Sequence, residues 1–193
     1  PAELLPERLP GVLAVLYLVF NEGYAATSGP LVRTELCDEG IRLARVLVTL
    51  MPDEPEAAGL LALMLLQHSR RDARTDQQGA MILLEDQDRR SWDHDRIAEG
   101  TAELERALLR RRPGPYQLQA AIAGLHATAS SWANTDWPQI AALYAELARV
   151  ATWRAEATGR TRPARRIRGT GRASPARPTR PRRIRGTGRA SAE

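Results

Sequence analysis

Apolar residues recur every three or four positions along the first 150 residues, the spacing that places them on one face of an α-helix. Turn-forming residues separate these stretches. The pattern predicts six helices, at 6–20, 31–50, 55–73, 90–111, 116–129 and from 137 onward. Connections this short favour antiparallel packing of neighbouring helices. The predicted fold class is therefore all-α, either a helical bundle or stacked helical hairpins.

Three local features refine this picture. The first helix is apolar almost all the way round, which predicts a central position, and Gly23 should end it soon after Phe20 by taking the left-handed conformation. Residues 80–84 form a short apolar run that we interpret as an extended segment. Thr135 and Asp136 are suited to cap the sixth helix.

Residues 151–193 have a different composition. The ten-residue segment RRIRGTGRAS at 165–174 recurs at 182–191, a 17-residue period, and the large apolar residues beyond Trp153 are Ile167 and Ile184. So little apolar surface cannot offset the entropy of ordering the chain, so we expect disorder. Two interpretations stay open: a mobile arginine-rich segment that binds nucleic acid, or a GC-rich stretch translated out of frame.

The net charge of +5 averages two opposite populations. Residues 1–153 carry 15 arginines against 21 acidic residues, a charge of −6, whereas residues 154–193 carry 13 against 2, a charge of +11. Thirteen arginines could neutralise several phosphates of a nucleic acid. The helical part is acidic and would attract a basic partner instead.

The residues that usually carry catalysis or bind metals do not form a motif. Cys37 is the single cysteine and lies among apolar helix positions, so we expect it to be buried. The three histidines, His68, His94 and His126, fall on different predicted helices without a two-histidine metal spacing. We therefore predict no catalytic residue, no metal site and no cofactor, and we expect a protein that is not an enzyme.

The acidic stretch 84–95 is the one place where carboxylates cluster beside arginines. Such a cluster could do acid–base work or hold a divalent ion, but it lacks the spacing of a helix-loop-helix calcium loop. The alternative is an ion-paired loop that Trp92 anchors to the helices. We favour that alternative.

The most apolar run, 12–20, is nine residues long, well short of the roughly 20 that a bilayer requires. It does not have the flanks of a signal peptide either. We expect no membrane association and a cytoplasmic location. The chain opens with Pro1 rather than methionine, so we expect it to be a piece of a longer protein.

Five segments appear in an order that resembles one known family. They are LYLVFNEGY (16–24), LLALMLL (60–66), LLEDQDR (83–89), GPYQLQAAI (114–122) and TDW (135–137). Together they resemble the C-terminal extension of a family of bacterial extracytoplasmic-function sigma factors, over about residues 1–150. The resemblance implies that the full-length protein also carries two sigma domains, absent here, which bind RNA polymerase and read promoter DNA.

In that family the extension continues as tetratricopeptide-like helix pairs and is thought to regulate the sigma domains. The partners implied are therefore the sigma domains of the same full-length protein and RNA polymerase. The likeness stops near Val150, and a stack that ends early exposes an apolar face, which predicts either a homodimer or poor solubility. Our candidate protein contacts are residues that follow the first helix and residues of the acidic stretch 84–95. Their alternative role is to form hydrogen bonds that fix the fold. These candidates are Asn21, Glu22, Tyr24, Asp86, Gln87, Asp88, Arg89, Trp92 and Asp93.

Overall fold

The structure, a computed structural model, describes the backbone of residues 5–25 and 33–157 and the side chains of 7–25 and 33–150. Its helices are α1 (Leu5–Tyr24), α2 (Thr34–Leu50), α3 (Pro55–His68), α4 (His94–Leu109), α5 (Pro115–Thr128) and α6 (Trp137–Ala157). Over these ranges, extended pairing is limited to a single bridge between Thr75 and Met81. The prediction of an all-α fold is confirmed. The repeat-bearing segment lies outside the described residues.

Helix α3 is the central helix of the described residues. It packs against α1, α2, α4 and α5, and every residue from Gly59 to Leu66 is buried. A helix that is apolar all round is expected to be buried on all sides, and this stretch of α3 is apolar all round. The predicted central position of the first helix was wrong, because α1 leaves Val15 59% and Leu18 66% exposed.

Gly23 lies within α1 and does not end it, so the predicted end at Phe20 was also wrong. A Cβ atom at this position would lie 2.6 Å from the Cys37 nitrogen and 2.8 Å from the Arg33 carbonyl oxygen. The Gly23 carbonyl accepts a hydrogen bond from the Arg33 N–H at 2.7 Å. Glycine is required here because the backbone before α2 passes directly against α1.

The other helix ends follow from local hydrogen bonds. Helix α3 stops at His68 rather than 73, and α4 begins at His94 rather than 90, because a 3-10 turn occupies Arg71–Ala73 and another occupies Arg89–Ser91. Helix α6 begins as predicted: the Asp136 carboxylate accepts the Gln139 N–H at 2.9 Å. The extended segment expected at 80–84 is reduced to the single bridge at Met81.

Within the described part of the chain, no helix combines the length and the apolar character needed to cross a bilayer. Cys37 is fully buried, as predicted.

Candidate interaction surface

The nine candidate contact residues come from two segments, and the structure places both against the stretch that follows α3. The Tyr24 hydroxyl accepts a hydrogen bond from the Arg70 guanidinium at 2.5 Å. The Asp93 N–H donates to the Ser69 carbonyl at 2.7 Å, and the Ile82 N–H donates to the Arg74 carbonyl at 2.8 Å. The end of α1 and the loop before α4 therefore form one region of the molecule.

Tyr24 is the main contact from the first segment. Its ring stacks on Phe20 and lies beneath the Arg74 guanidinium, 3.6 Å from the ring centroid. Arg74 also donates to the Tyr24 carbonyl, and burial lowers the pKa of its guanidinium. Asn21 and Glu22 are half-buried, and Glu22 forms an ion pair with Arg33 at 3.5 Å.

Two of the candidates in the second segment are buried. Gln87 is buried and its side-chain amide donates to the Ile82 carbonyl at 3.0 Å, which holds the loop together. Trp92 is 3% exposed and packs in a core with residues of α3 and α4. In this structure both act inside the fold, which is the alternative role that the sequence left open for them.

Arg89 joins the loop to the far end of α5. Its guanidinium donates to the Ala129 carbonyl at 2.9 Å and to the His126 carbonyl, and it lies 4.9 Å from the centroid of the Trp92 ring. The last carbonyls of a helix have no partner within the helix, and a cation there also meets the negative end of the helix dipole. Burial lowers the pKa of this guanidinium.

Asp88 and Asp93 each cap a helical turn. The Asp88 carboxylate accepts the Arg90 N–H at 3.0 Å, and its hydrogen bond with the Arg90 side chain lowers the pKa of the carboxyl. The Asp93 carboxylate accepts the Arg96 N–H at 3.0 Å at the start of α4. Asp86 is exposed, as is its neighbour Glu85. The exposed charged residues of this loop are therefore Glu85, Asp86 and Asp88, together with Arg90, which pairs with Asp88 at 3.0 Å.

Beneath this region lies a polar cluster that the sequence did not reveal. His68 is fully buried, and its Nε2 atom lies 3.3 Å from the Asp38 carboxylate and 3.3 Å from the Arg71 guanidinium. Arg96 reaches the same carboxylate at 3.2 Å. Burial, and then the charge of Arg96, lower the pKa of His68 to about 4. The residues come from α2, α3, the turn after it and α4, so no short sequence pattern could have indicated them.

The described side chains include no group of three or more His, Cys, Asp or Glu residues placed to hold a metal ion. The Cys37 thiol lies 3.7 Å from the Phe20 carbonyl oxygen, and burial raises its pKa to about 11. A thiol in that state is a packing group and a poor nucleophile. The region therefore combines a charged surface with a buried polar cluster around His68.

Comparison with known proteins gives a family but no activity. Residues 8–108 match a family described as a family of unknown function (DUF6596). The chain belongs to this family. A curated relative in Rhizobium meliloti (strain 1021), described as an uncharacterized protein, is 57% identical over 145 residues, which are 75% of this chain and 34% of that protein. The chain therefore spans about a third of the length of that relative. No solved structure matches this chain.

The family match covers α1 to α4 almost completely and includes all nine candidate contact residues. The polar cluster around His68 also lies inside it. Helices α5 and α6 lie beyond the family match, although they pack on the same body.

Proposed function

We propose that this chain is the regulatory, protein-interaction module of a bacterial extracytoplasmic-function sigma factor. It would act in the cytoplasm on the promoter-binding sigma domains of the same full-length protein or on RNA polymerase. Contact with promoter DNA would be made by those other domains. The observation that carries the proposal is the set of five ordered segments, which resemble the C-terminal extension of such factors.

The physical properties of the described body support this proposal. Residues 1–153 carry a charge of −6, and the sigma domains that the resemblance implies must be basic where they meet DNA. Acidic-on-basic docking raises the association rate and selects partners. The outward acidic residues Glu85, Asp86 and Asp88 provide the surface, and the buried side chains of Gln87 and Trp92 fix its shape.

Direct binding between this chain and separately produced sigma domains tests the proposal. The double variant Glu85→Lys/Asp86→Lys should weaken binding by roughly tenfold at low salt, because it turns attraction into repulsion. Glu35→Lys/Glu105→Lys makes the same charge change at exposed positions on α2 and α4 and should leave binding within about twofold of the parent. Absence of binding at low salt would refute the docking mechanism.

The basic segment favours a second candidate function, nucleic-acid binding, through its charge of +11 over residues 154–193. Neutralising phosphates releases counterions, so such binding weakens steeply with salt. Deleting residues 154–193 should then abolish DNA affinity and its salt dependence. If the intact chain and the deletion variant have the same negligible affinity, this function is excluded.

A homodimer is part of the proposal because α6 packs on α5 and leaves Trp137 39% and Tyr144 57% exposed. Exposed aromatic residues on a helix face often mark a protein contact. Sedimentation equilibrium measures this directly, and a monomer at all accessible concentrations would rule the dimer out.

A further inference from the structure

A cavity of about 310 Å³ opens between α3, α5 and α6, beside the loop that precedes α4. That volume is at the lower end of the range for small-molecule sites, about 300–1,000 Å³. One part of its wall is apolar and is formed mainly by Leu66, Ile122, Ala123 and Leu147. The other part carries polar groups from Gln67, Arg70, Trp92 and His126. Small-molecule pockets typically combine an apolar wall with a few polar groups in this way.

Arg70 gives the cavity a positive charge, and no carboxylate among the described side chains pairs with it. Among the described side chains, neither Arg70 nor Arg89 forms an ion pair, although the body as a whole is acidic. Arg70 has five N–H groups, and it donates a hydrogen bond to a neutral hydroxyl, that of Tyr24. A second cavity, beside Arg106 and Arg110, differs in this respect, because those arginines pair with Glu103 and Asp53.

His126, on the cavity wall, lies close enough to Arg70 and Arg89 for their charges to affect its pKa. Burial lowers the pKa of this imidazole, and the charges of Arg70 and Arg89 lower it further. Arg89 binds the carbonyl of His126 itself, so its charge lies directly behind the cavity wall.

Three residues of the wall also carry buried polar atoms without a hydrogen-bond partner among the described residues: Gln67 Oε1, Trp92 Nε1 and His126 Nδ1. Trp92 is 3% exposed, so its N–H is well removed from solvent. Buried polar groups are nearly always paired in folded proteins, and several unpaired ones around one cavity indicate a place where polar partners are expected. These atoms lie just behind the accessible surface of the wall, so they make the surroundings of the cavity polar, and the group we place in contact with a ligand is the Arg70 guanidinium.

We propose that this cavity binds a small amphipathic acid, with its anionic head at Arg70 and its apolar body against Leu66, Ile122 and Leu147. This assignment stands apart from the proposed function, because it depends on the cavity and its charges and not on sigma domains. Binding would join α3, α5 and α6 through one molecule, so a ligand here would stiffen the body that carries the acidic surface.

Two dyes with nearly the same aromatic body test the assignment on the intact chain. The first is anionic 8-anilinonaphthalene-1-sulfonate, and the second is neutral N-phenyl-1-naphthylamine. Arg70→Gln should weaken binding of the anionic dye by roughly tenfold, the size of one charge-assisted hydrogen bond, and change binding of the neutral dye by less than about twofold. Arg90→Gln is the matched control, because its side chain is 91% exposed and lines no part of the cavity.

A second variant tests the position of the site. Ala123→Phe fills the cavity and should abolish binding of both dyes, whereas Ala102→Phe, on an exposed position of α4, should not. Circular dichroism melting curves establish that each variant is folded, and if Ala123→Phe does not fold, Arg70→Gln still decides. If Arg70→Gln weakened binding of both dyes equally, the proposed contact between Arg70 and the anionic head would be overturned. Unchanged binding of the anionic dye in either Arg70→Gln or a folded Ala123→Phe would overturn the site.

Discussion

The two ends of helix α5 are stabilised by charged side chains of opposite sign, each supplied by another part of the chain. At the N-terminus, the Glu56 carboxylate of α3 accepts hydrogen bonds from the Tyr116 N–H at 3.1 Å and the Gln117 N–H at 3.2 Å. At the C-terminus, Arg89 donates to the carbonyls of His126 and Ala129. A negative charge at the first turn and a positive charge at the last both match the helix dipole.

The difference lies in how rigidly each charge is held. Glu56 projects from the buried central helix and also accepts from the Gln117 side-chain amide at 3.1 Å. Arg89 comes from a short 3-10 turn in the loop before α4. The N-terminal end of α5 is therefore fixed by the core, whereas its C-terminal end depends on the loop that also forms the outward acidic face. A substitution in that loop should therefore destabilise the C-terminal end of α5 and leave its N-terminal end unchanged.

Removing Glu56 should have the largest effect on stability. Glu56→Ala leaves the Tyr116 and Gln117 backbone N–H groups without their side-chain acceptor and removes one of the two acceptors of the Gln117 side-chain amide, which should lower the free energy of unfolding by about 3 kcal/mol. Glu56→Gln keeps an acceptor oxygen and should cost about half as much. Urea unfolding followed by circular dichroism gives both values. Equal losses for the two variants would show that charge, rather than the hydrogen bonds, stabilises this end.

Removing Arg89 should cost less, about 2 kcal/mol, because two carbonyls lose a charged donor and the contact with Trp92 is lost. The matched control is Arg90→Ala, which removes an arginine from the adjacent, exposed position. Its effect should be below about 0.5 kcal/mol. Hydrogen exchange should locate the Arg89→Ala effect at the C-terminal turn of α5. Uniform loss of protection along the whole helix would contradict the comparison of the two ends.

The close approach at the N-terminal end predicts a smaller effect for Gly114→Ala. A Cβ atom at Gly114 would lie 2.5 Å from a carboxylate oxygen of Glu56, so the carboxylate must move. We expect a loss of about 1.5 kcal/mol, in the range for overpacked sites. Combined with Glu56→Ala, the same substitution should cost much less, because the obstacle is gone. Additive losses in this double-mutant cycle would show that the two residues do not interact.

The sequence predicted the positions of α5 and α6 well, because their boundaries depend on local signals. Pro115 starts one helix and Asp136 caps the other, and both signals lie beside the residues they govern. The prediction from sequence was wrong where a distant segment determines the structure. Gly23 is an example: it resembles a helix end, but its role is to let the backbone before α2 approach α1. Helical periodicity also could not tell which of two strongly apolar helices would be central.

The candidate site was predictable only in part, for the same reason. The loop at 84–95 was recognisable by its charges, and the alternative role of Trp92 as an anchor agrees with its burial. Arg70 and His126, which line the cavity, lie far apart in the sequence, and nothing in the chain near either of them indicates the other. Their common environment exists only after α3, α5 and the loop have packed.

The smallest predicted effect concerns protons at the C-terminal end of α5. Burial, with Arg70 and Arg89, lowers the pKa of His126 below its ordinary value of 6.5, so the unfolded chain binds this proton more readily than the native protein does. The contribution of neutral His126 to the free energy of unfolding is therefore fully present above pH 6.5, and it is lost as the pH falls below that value. The same sign holds for His68, whose lower pKa of about 4 extends that loss over a wider pH range.

Arg89→Ala separates the two histidines. Because one nearby positive charge disappears, the pKa of His126 should rise toward its ordinary value, which NMR titration of the imidazole resonances measures directly. The pKa of His68 should not change, because its low value comes from burial and from Arg96 and Arg71. Stability should then decrease less steeply between pH 6.5 and 4 than in the parent chain. A His126 pKa unmoved by the substitution would mean that Arg89 acts on this end of α5 through its hydrogen bonds alone.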